Sequence, residues 1–147
     1  MESDDLLVFK VDGKEFKIDV SRLRTTVDSI DSDLTKQAEE YGYVGRAAGL
    51  ARAYRETAED ALETLRAELD SEIRLRFEKS NTKVTEEKVK NSILSDGRVM
   101  LAKGRIASLR ESEYQLEALA RAFDKKGNNL VALAANLRAE MSQRESV

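Results

Sequence analysis

The chain has 147 residues, 36% of them charged and only 5% aromatic, and its 25 basic and 28 acidic side chains leave a formal charge of −3. It contains no Cys, no His and no Pro, which excludes Cys/His zinc centres, Cys- or His-based nucleophiles and disulfides, and removes the strongest helix breaker. The length fits one domain, and so much charge with so few rings suits helices exposed along most of their length rather than a thick globule.

Neither the Gly, Lys and Ser/Thr spacing of a P-loop nor a glycine fingerprint after a strand occurs. No catalytic residue, metal ligand or cofactor is expected, and the chain reads as a non-enzyme. The start "MESDDLLVFK" is acidic where a secretory signal is basic. No apolar run approaches the roughly 20 residues that span a bilayer, so a soluble, cytoplasmic protein without a membrane partner is expected.

The first element is "LLVFKVDGKEFKIDV". Asp12-Gly13 is a two-residue turn of the kind that closes a β-hairpin, because Gly tolerates positive φ and Asp next best. Pairing Val11 with Lys14 sets Phe9 opposite Phe16 and Leu7 opposite Ile18 on an apolar face, and Lys10 opposite Glu15 as a weak ion pair. Residues 1–20 are therefore read as a hairpin. A lone hairpin is marginal in water, so its apolar face, with Phe9 and Phe16, must lie on a helix or on a neighbouring subunit.

From Ser21, a good helix cap, apolar residues recur in steps of three and four. They are Leu23, Val27, Ile30, Leu34, Ala38, Tyr41, Val44, Ala48, Ala51, Ala58, Leu62, Leu65 and Leu69. This is a coiled-coil-like seam, and it predicts a helix from about 21 to about 77, roughly 85 Å long at 1.5 Å per residue. Gly42, Gly45 and Gly49, with Ala47, Ala48, Ala51 and Ala53, form a cluster of small residues in it, and each Gly costs about 1 kcal/mol relative to Ala. They serve either close packing against the chain's own second arm or a crossing point between subunits.

Thr85 before "EEKV" caps a short helix, and Ser95-Asp96-Gly97 breaks the chain before a second long one. There the seam is Ile106, Leu109, Leu116, Ala120, Phe123, Leu130, Ala134, Leu137 and Met141, with Gly127-Asn128-Asn129 a point of kinking or interruption. The expected fold is mostly α, a long antiparallel helical hairpin of coiled-coil type over 21–147 with a short N-terminal β-hairpin.

Charge is unevenly spread. Residues 73–110 hold ten basic and four acidic side chains, a surplus of +6, so the remainder sums to −9. This window contains the turn of the helical hairpin, and a cationic turn region attracts polyanions through the counterions that phosphate contacts release. Its candidates are Arg74, Arg76, Lys79, Lys83, Lys88, Lys90, Arg98, Lys103 and Arg105. Phe77 is the one ring in the window, so base stacking would add little.

Four runs occur in order: "KIDVSRL", "LRAELD", "VKNSILSDGRV" and "ALARAFDKKGNNLVAL". Together they resemble the phage recombination mediator proteins, the UvsY-like family, over roughly 16–141. The resemblance implies a mostly helical protein that assembles into a homo-oligomeric ring and binds single-stranded DNA. It further implies help to a RecA-like recombinase in displacing the single-strand binding protein, in the host cytoplasm if the chain is phage-encoded. It adds Arg66, in "LRAELD", as a DNA contact, with Glu68 standing where the family has a second basic residue. The alternative is a structural coiled-coil scaffold or adaptor whose seams and basic turn bind protein partners.

Overall fold

The structure is a computed structural model that describes residues 4–146, the side chain of Val27 excepted. Strands β1, Leu6–Val11, and β2, Lys14–Asp19, pair antiparallel with Phe9 opposite Phe16 and Leu7 opposite Ile18, as the turn residues dictate. Asp12 and Gly13 both take positive φ, 47° and 82°, the twist that matches two right-handed strands. Phe9, Val11 and Ile18 are buried, and the Phe16 ring meets Tyr43 edge-on at 5.9 Å. The apolar face thus lies within the chain. Glu15 takes its ion pair from Lys17, two residues along the same strand, at 3.5 Å.

The first long helix begins later than Ser21. Two one-turn 3-10 helices, Val20–Leu23 and Val27–Ser29, precede it, and α1 runs Ile30–Lys79. Local hydrogen bonding wins over apolar periodicity here. Asp19 accepts from the Ser21 amide at 3.0 Å and turns the chain, Arg24 and Thr26 are extended, and the hydroxyls of Thr25 and Ser29 donate to Asp33 at 2.7 and 2.9 Å. Asp31 and Asp33 in the first turn and Arg76 and Lys79 in the last complement the helix dipole. α1 is unbroken through Gly42, Gly45 and Gly49.

Helix α2, Glu86–Leu94, is capped by the Thr85 hydroxyl, which accepts from the Lys88 amide at 3.2 Å. Helix α3, Gly97–Glu145, opens with Asp96 accepting from the Arg98 amide at 2.9 Å. It continues through Gly127-Asn128-Asn129 without interruption. The glycine there has a packing reason: a Cβ on Gly127 would stand 2.7 Å from Nε2 of Gln37, the amide that donates to the Phe123 carbonyl.

The fold is mostly α, an antiparallel helical hairpin of α1 and α3 with the β-hairpin at its N-terminus. Both long helices contribute to two compact units, one made of the chain up to Leu50 and from Ser112 onward, the other Ala51–Glu111. In the first unit Ile30, Leu130 and Ala134 form a cluster that Leu34 and Leu137 flank, and Val44, Ala47, Leu116 and Phe123 are buried with the hairpin residues. In the second, Leu62, Leu69 and Ile73 of α1, Val89 of α2 and Val99, Ile106 and Leu109 of α3 are buried.

The seams depart from their predicted paths at two places. Ala38 and Tyr41 are exposed, and so is Met141 at the carboxy end, whereas Gln37 turns inward to the Phe123 carbonyl and Glu40 to Lys126. Lys126 is 4% exposed. Its Nζ donates to the Arg22 carbonyl and lies 3.6 Å from Glu40 and 3.8 Å from Asp33. Arg22 completes the group at 2.9 Å from the other Glu40 oxygen, an ion pair that holds its guanidinium above its ordinary range. The buried lysine is thus compensated by carboxylates one heptad apart on α1. Among the described residues no helix is long and apolar enough to cross a membrane.

Candidate nucleic-acid interface

All ten side chains expected to meet nucleic acid fall in the Ala51–Glu111 unit, but the charge there is more nearly balanced than the 73–110 window suggests. That unit carries thirteen basic and twelve acidic residues, a surplus of +1, because the part of α1 beside the window is acidic. Several cations spend their charge inside the fold. Arg74 donates to Glu86 at 2.9 Å and to Asp70 at 2.7 Å, and these carboxylates hold its guanidinium well above its ordinary range. It ties α1 to α2. Arg98 is held by Asp96 at 3.2 Å and lies 3.8 Å from Glu72. Arg105 is also engaged within the chain.

Arg66, Arg76, Lys79, Lys83, Lys88, Lys90 and Lys103 are exposed, and none forms an ion pair among the described residues. Three of them are brought together. One groove, of about 530 Å³, is lined by Arg66, Lys103 and Arg110 over a floor of Leu62, Ile106 and Ala107, with Glu59 and Glu63 on its rim. A second, of about 320 Å³, has Arg66 and Lys90 over Val89, Ile93 and Leu94, beside Asp70 and Glu86. Arg66 lines both. The acids on these rims are largely answered, Glu59 by Arg110 at 2.5 Å and Arg55 at 2.9 Å, Asp70 and Glu86 by Arg74. Hydrogen bonding from Arg110 holds the Glu59 carboxyl below its usual range.

What remains around Arg66 is a cationic trio drawn from α1, α2 and α3, with Glu63 as the groove acid that no ion pair occupies among the described residues. The other unpaired cations are not beside it: at 100° per residue, Arg76 and Lys79 stand about 80° and about 140° round α1 from Arg66. Lys83 lies in the turn after α1, and the Lys88 ammonium is turned back onto the Lys83 carbonyl at 3.3 Å. Phe77, the one ring in the window, is half-buried.

Within the small-residue cluster the three glycines leave room for a side chain. A Cβ at Gly45 or Gly49 would meet nothing within 4 Å, and one at Gly42 only the Arg46 guanidinium at 3.5 Å. The alanines beside them, Ala47, Ala48 and Ala51, are the buried members of the cluster. Phe9 and Phe16 are packed against the chain itself. Among the described residues no group of three or more acidic side chains is placed to hold a metal ion.

No protein-family model, no curated protein and no solved structure matches this chain.

Proposed function

We propose that the protein is a non-catalytic binder of single-stranded DNA of the recombination-mediator type, which holds the strand by its phosphates while a RecA-like recombinase replaces the single-strand binding protein in the cytoplasm. The observation that carries this reading is the trio Arg66, Lys90 and Lys103, three exposed cations without ion-pair partners among the described residues, supplied by three helices around two grooves that share one arginine. Phosphate contacts need exposed charge of this kind, and they require no aromatic platform. The ordered runs that resemble the UvsY-like family point the same way.

Three contacts per chain make a weak site. A homo-oligomer, for which a ring is the arrangement the resemblance implies, multiplies such sites into avidity without any of them being strong. Acidic surfaces elsewhere on the chain discourage indiscriminate adhesion.

The test is the charge reversal Arg66→Glu, Lys90→Glu, Lys103→Glu. Loss of single-stranded DNA retention at unchanged helix content and unchanged assembled mass supports the reading; retention equal to wild type rejects it. A scaffold or adaptor is the second reading, favoured by the outward apolar side chains Met100, Leu101 and Tyr114 and by the open faces of Gly45 and Gly49. It predicts that the reversal leaves DNA behaviour as it was.

A further inference from the structure

The N-terminal hairpin satisfies one edge of each strand and, among the described residues, leaves the outer edge of β1 without partners. The Val20 amide donates to the Asp5 carbonyl at 2.8 Å, which fixes the parity of the ladder: Asp5, Leu7, Phe9 and Val11 aim their backbone groups at β2, and Leu6, Val8 and Lys10 aim theirs away. Lys17, opposite Val8, confirms the alternation. Its amide points outward from β2 and donates to the Tyr43 hydroxyl at 3.2 Å, so the outer edge of β2 is met by α1. Among the described residues nothing takes the outward amides and carbonyls of Leu6, Val8 and Lys10.

Side-chain burial singles out the same place. Phe9 and Val11 are 8% and 0% exposed, but Leu6, Leu7 and Val8 are 45%, 38% and 50% exposed, so the first half of β1 shows apolar side chains on both of its faces. An unpaired apolar edge is a template for another strand, and proteins ordinarily guard it with charge or Pro. Here Lys10 is the one guard within β1, and Asp4 stands just before the strand.

We propose that β1 pairs edge to edge, antiparallel, with β1 of a second copy of this chain about a two-fold axis through Leu7, joining the two hairpins into one four-stranded sheet. Outward backbone groups must meet outward backbone groups, which limits the registers. With Leu7 on the axis, Leu6 faces Val8 of the second copy, Val8 faces Leu6, and Asp4 and Lys10 face one another at both ends. Apolar pairs fill the middle and opposite charges close it. Moving the axis to Val8 sets Asp4 against Asp12 and Lys10 against Leu6, so like charges reject that register. The contact is isologous, so it makes pairs of chains, or pairs of rings where a separate contact closes the ring. It does not rest on the proposed DNA site, and its test is read without DNA.

The chain has no Cys, so a single introduced thiol reports on one position. Leu7 sits at a non-hydrogen-bonded pair across the axis, where Cα atoms approach to about 4.5 Å, within the reach of a disulfide. Leu7→Cys, oxidised without denaturant, is expected to run at twice the chain mass on a non-reducing gel and to revert with reductant, while Lys14→Cys at the turn stays single. Val8→Pro removes an outward amide that the β1–β2 ladder does not use. It is expected to halve the mass found by light scattering at unchanged helix content. Should that variant misfold, Lys10→Asp halves the mass instead, and adding Asp4→Lys restores it. Crosslinking of Leu7→Cys no greater than that of Lys14→Cys, a wild-type chain of single mass, or a double charge swap that stays at half mass would each overturn the proposal.

Discussion

The two compact units handle charge in opposite ways. In the unit that carries the hairpin, Lys126 is buried between α1 and α3 and answered by Asp33, Glu40 and a backbone carbonyl, so its charge serves the fold. In the Ala51–Glu111 unit, Arg66, Lys90 and Lys103 stand at the surface without ion pairs among the described residues, and Arg74 and Arg98 take nearby acids. Where a cation is buried, removing it leaves carboxylates stranded in a poorly solvated place; where it is exposed, removing it changes what the surface attracts. The same residue type thus specifies structure in one unit and availability in the other.

The largest effect expected follows from the buried side. Lys126→Ala takes the ammonium from beside Asp33 and the buried Oε2 of Glu40 and should lower stability by about 3–5 kcal/mol, read as the urea unfolding free energy. A loss below about 1 kcal/mol, the scale of a surface pair, would erase the distinction between the units. Acid should reach the same group. The Thr25 hydroxyl, then that of Ser29 and the charge of Lys126, hold the Asp33 carboxyl below its usual range. A carboxylate whose folded value is depressed contributes fully above its unfolded value of about 3.9, and that contribution fades as pH falls through the folded one. Urea midpoints should therefore drop below about pH 4, and Asp33→Asn should flatten that part of the curve.

Smaller effects sharpen the comparison. Gly45→Ala and Gly49→Ala put a methyl group into open space on a continuous helix and should each raise stability by about 1 kcal/mol, measured by thermal unfolding. A drop in assembled mass in these variants would instead make the glycine face a subunit crossing. Arg74→Ala breaks a partly exposed pair and should cost less than about 1 kcal/mol while leaving the salt dependence of DNA binding unchanged. A salt response that moved with Arg74 would mean that paired and unpaired cations act alike.

The hairpin register was legible because a two-residue Asp-Gly turn admits one pairing and the side chains then alternate of themselves. The hairpin of long helices was legible because apolar residues, Ala and Phe among them, return in helical steps of three, four or seven along most of the buried stripes of α1 and α3. Three features were not. The start of α1 at Ile30 depends on Asp19, Thr25 and Ser29 hydrogen-bonding locally, and apolar spacing through Leu23 and Val27 hides that, with the Val27 side chain outside the described residues. Gln37, Glu40 and Lys126 occupy core positions that polarity assigns to the surface; spacing was the available signal, since Lys126 lies between Phe123 and Leu130 on the buried stripe. In the candidate interface, residue type marked ten cations, but which of them are spent in ion pairs depends on Asp70 and Glu86 for Arg74 and on Asp96 and Glu72 for Arg98, in part across helix boundaries. A sum over a sequence window sees neither the pairing nor the partners Asp70 and Glu72 outside it.

The central claim is that unpaired surface cations of the Ala51–Glu111 unit hold a phosphate backbone, and a salt titration reads it most directly. Fluorescence anisotropy of a labelled single-stranded oligonucleotide, followed from low to high salt, should give log K falling linearly against log salt. For three phosphates at about 0.7 each the slope is about −2 per chain, and the Arg66→Glu, Lys90→Glu, Lys103→Glu variant should abolish it. A flat response in the wild-type protein, or an equal slope in the variant, would contradict the account.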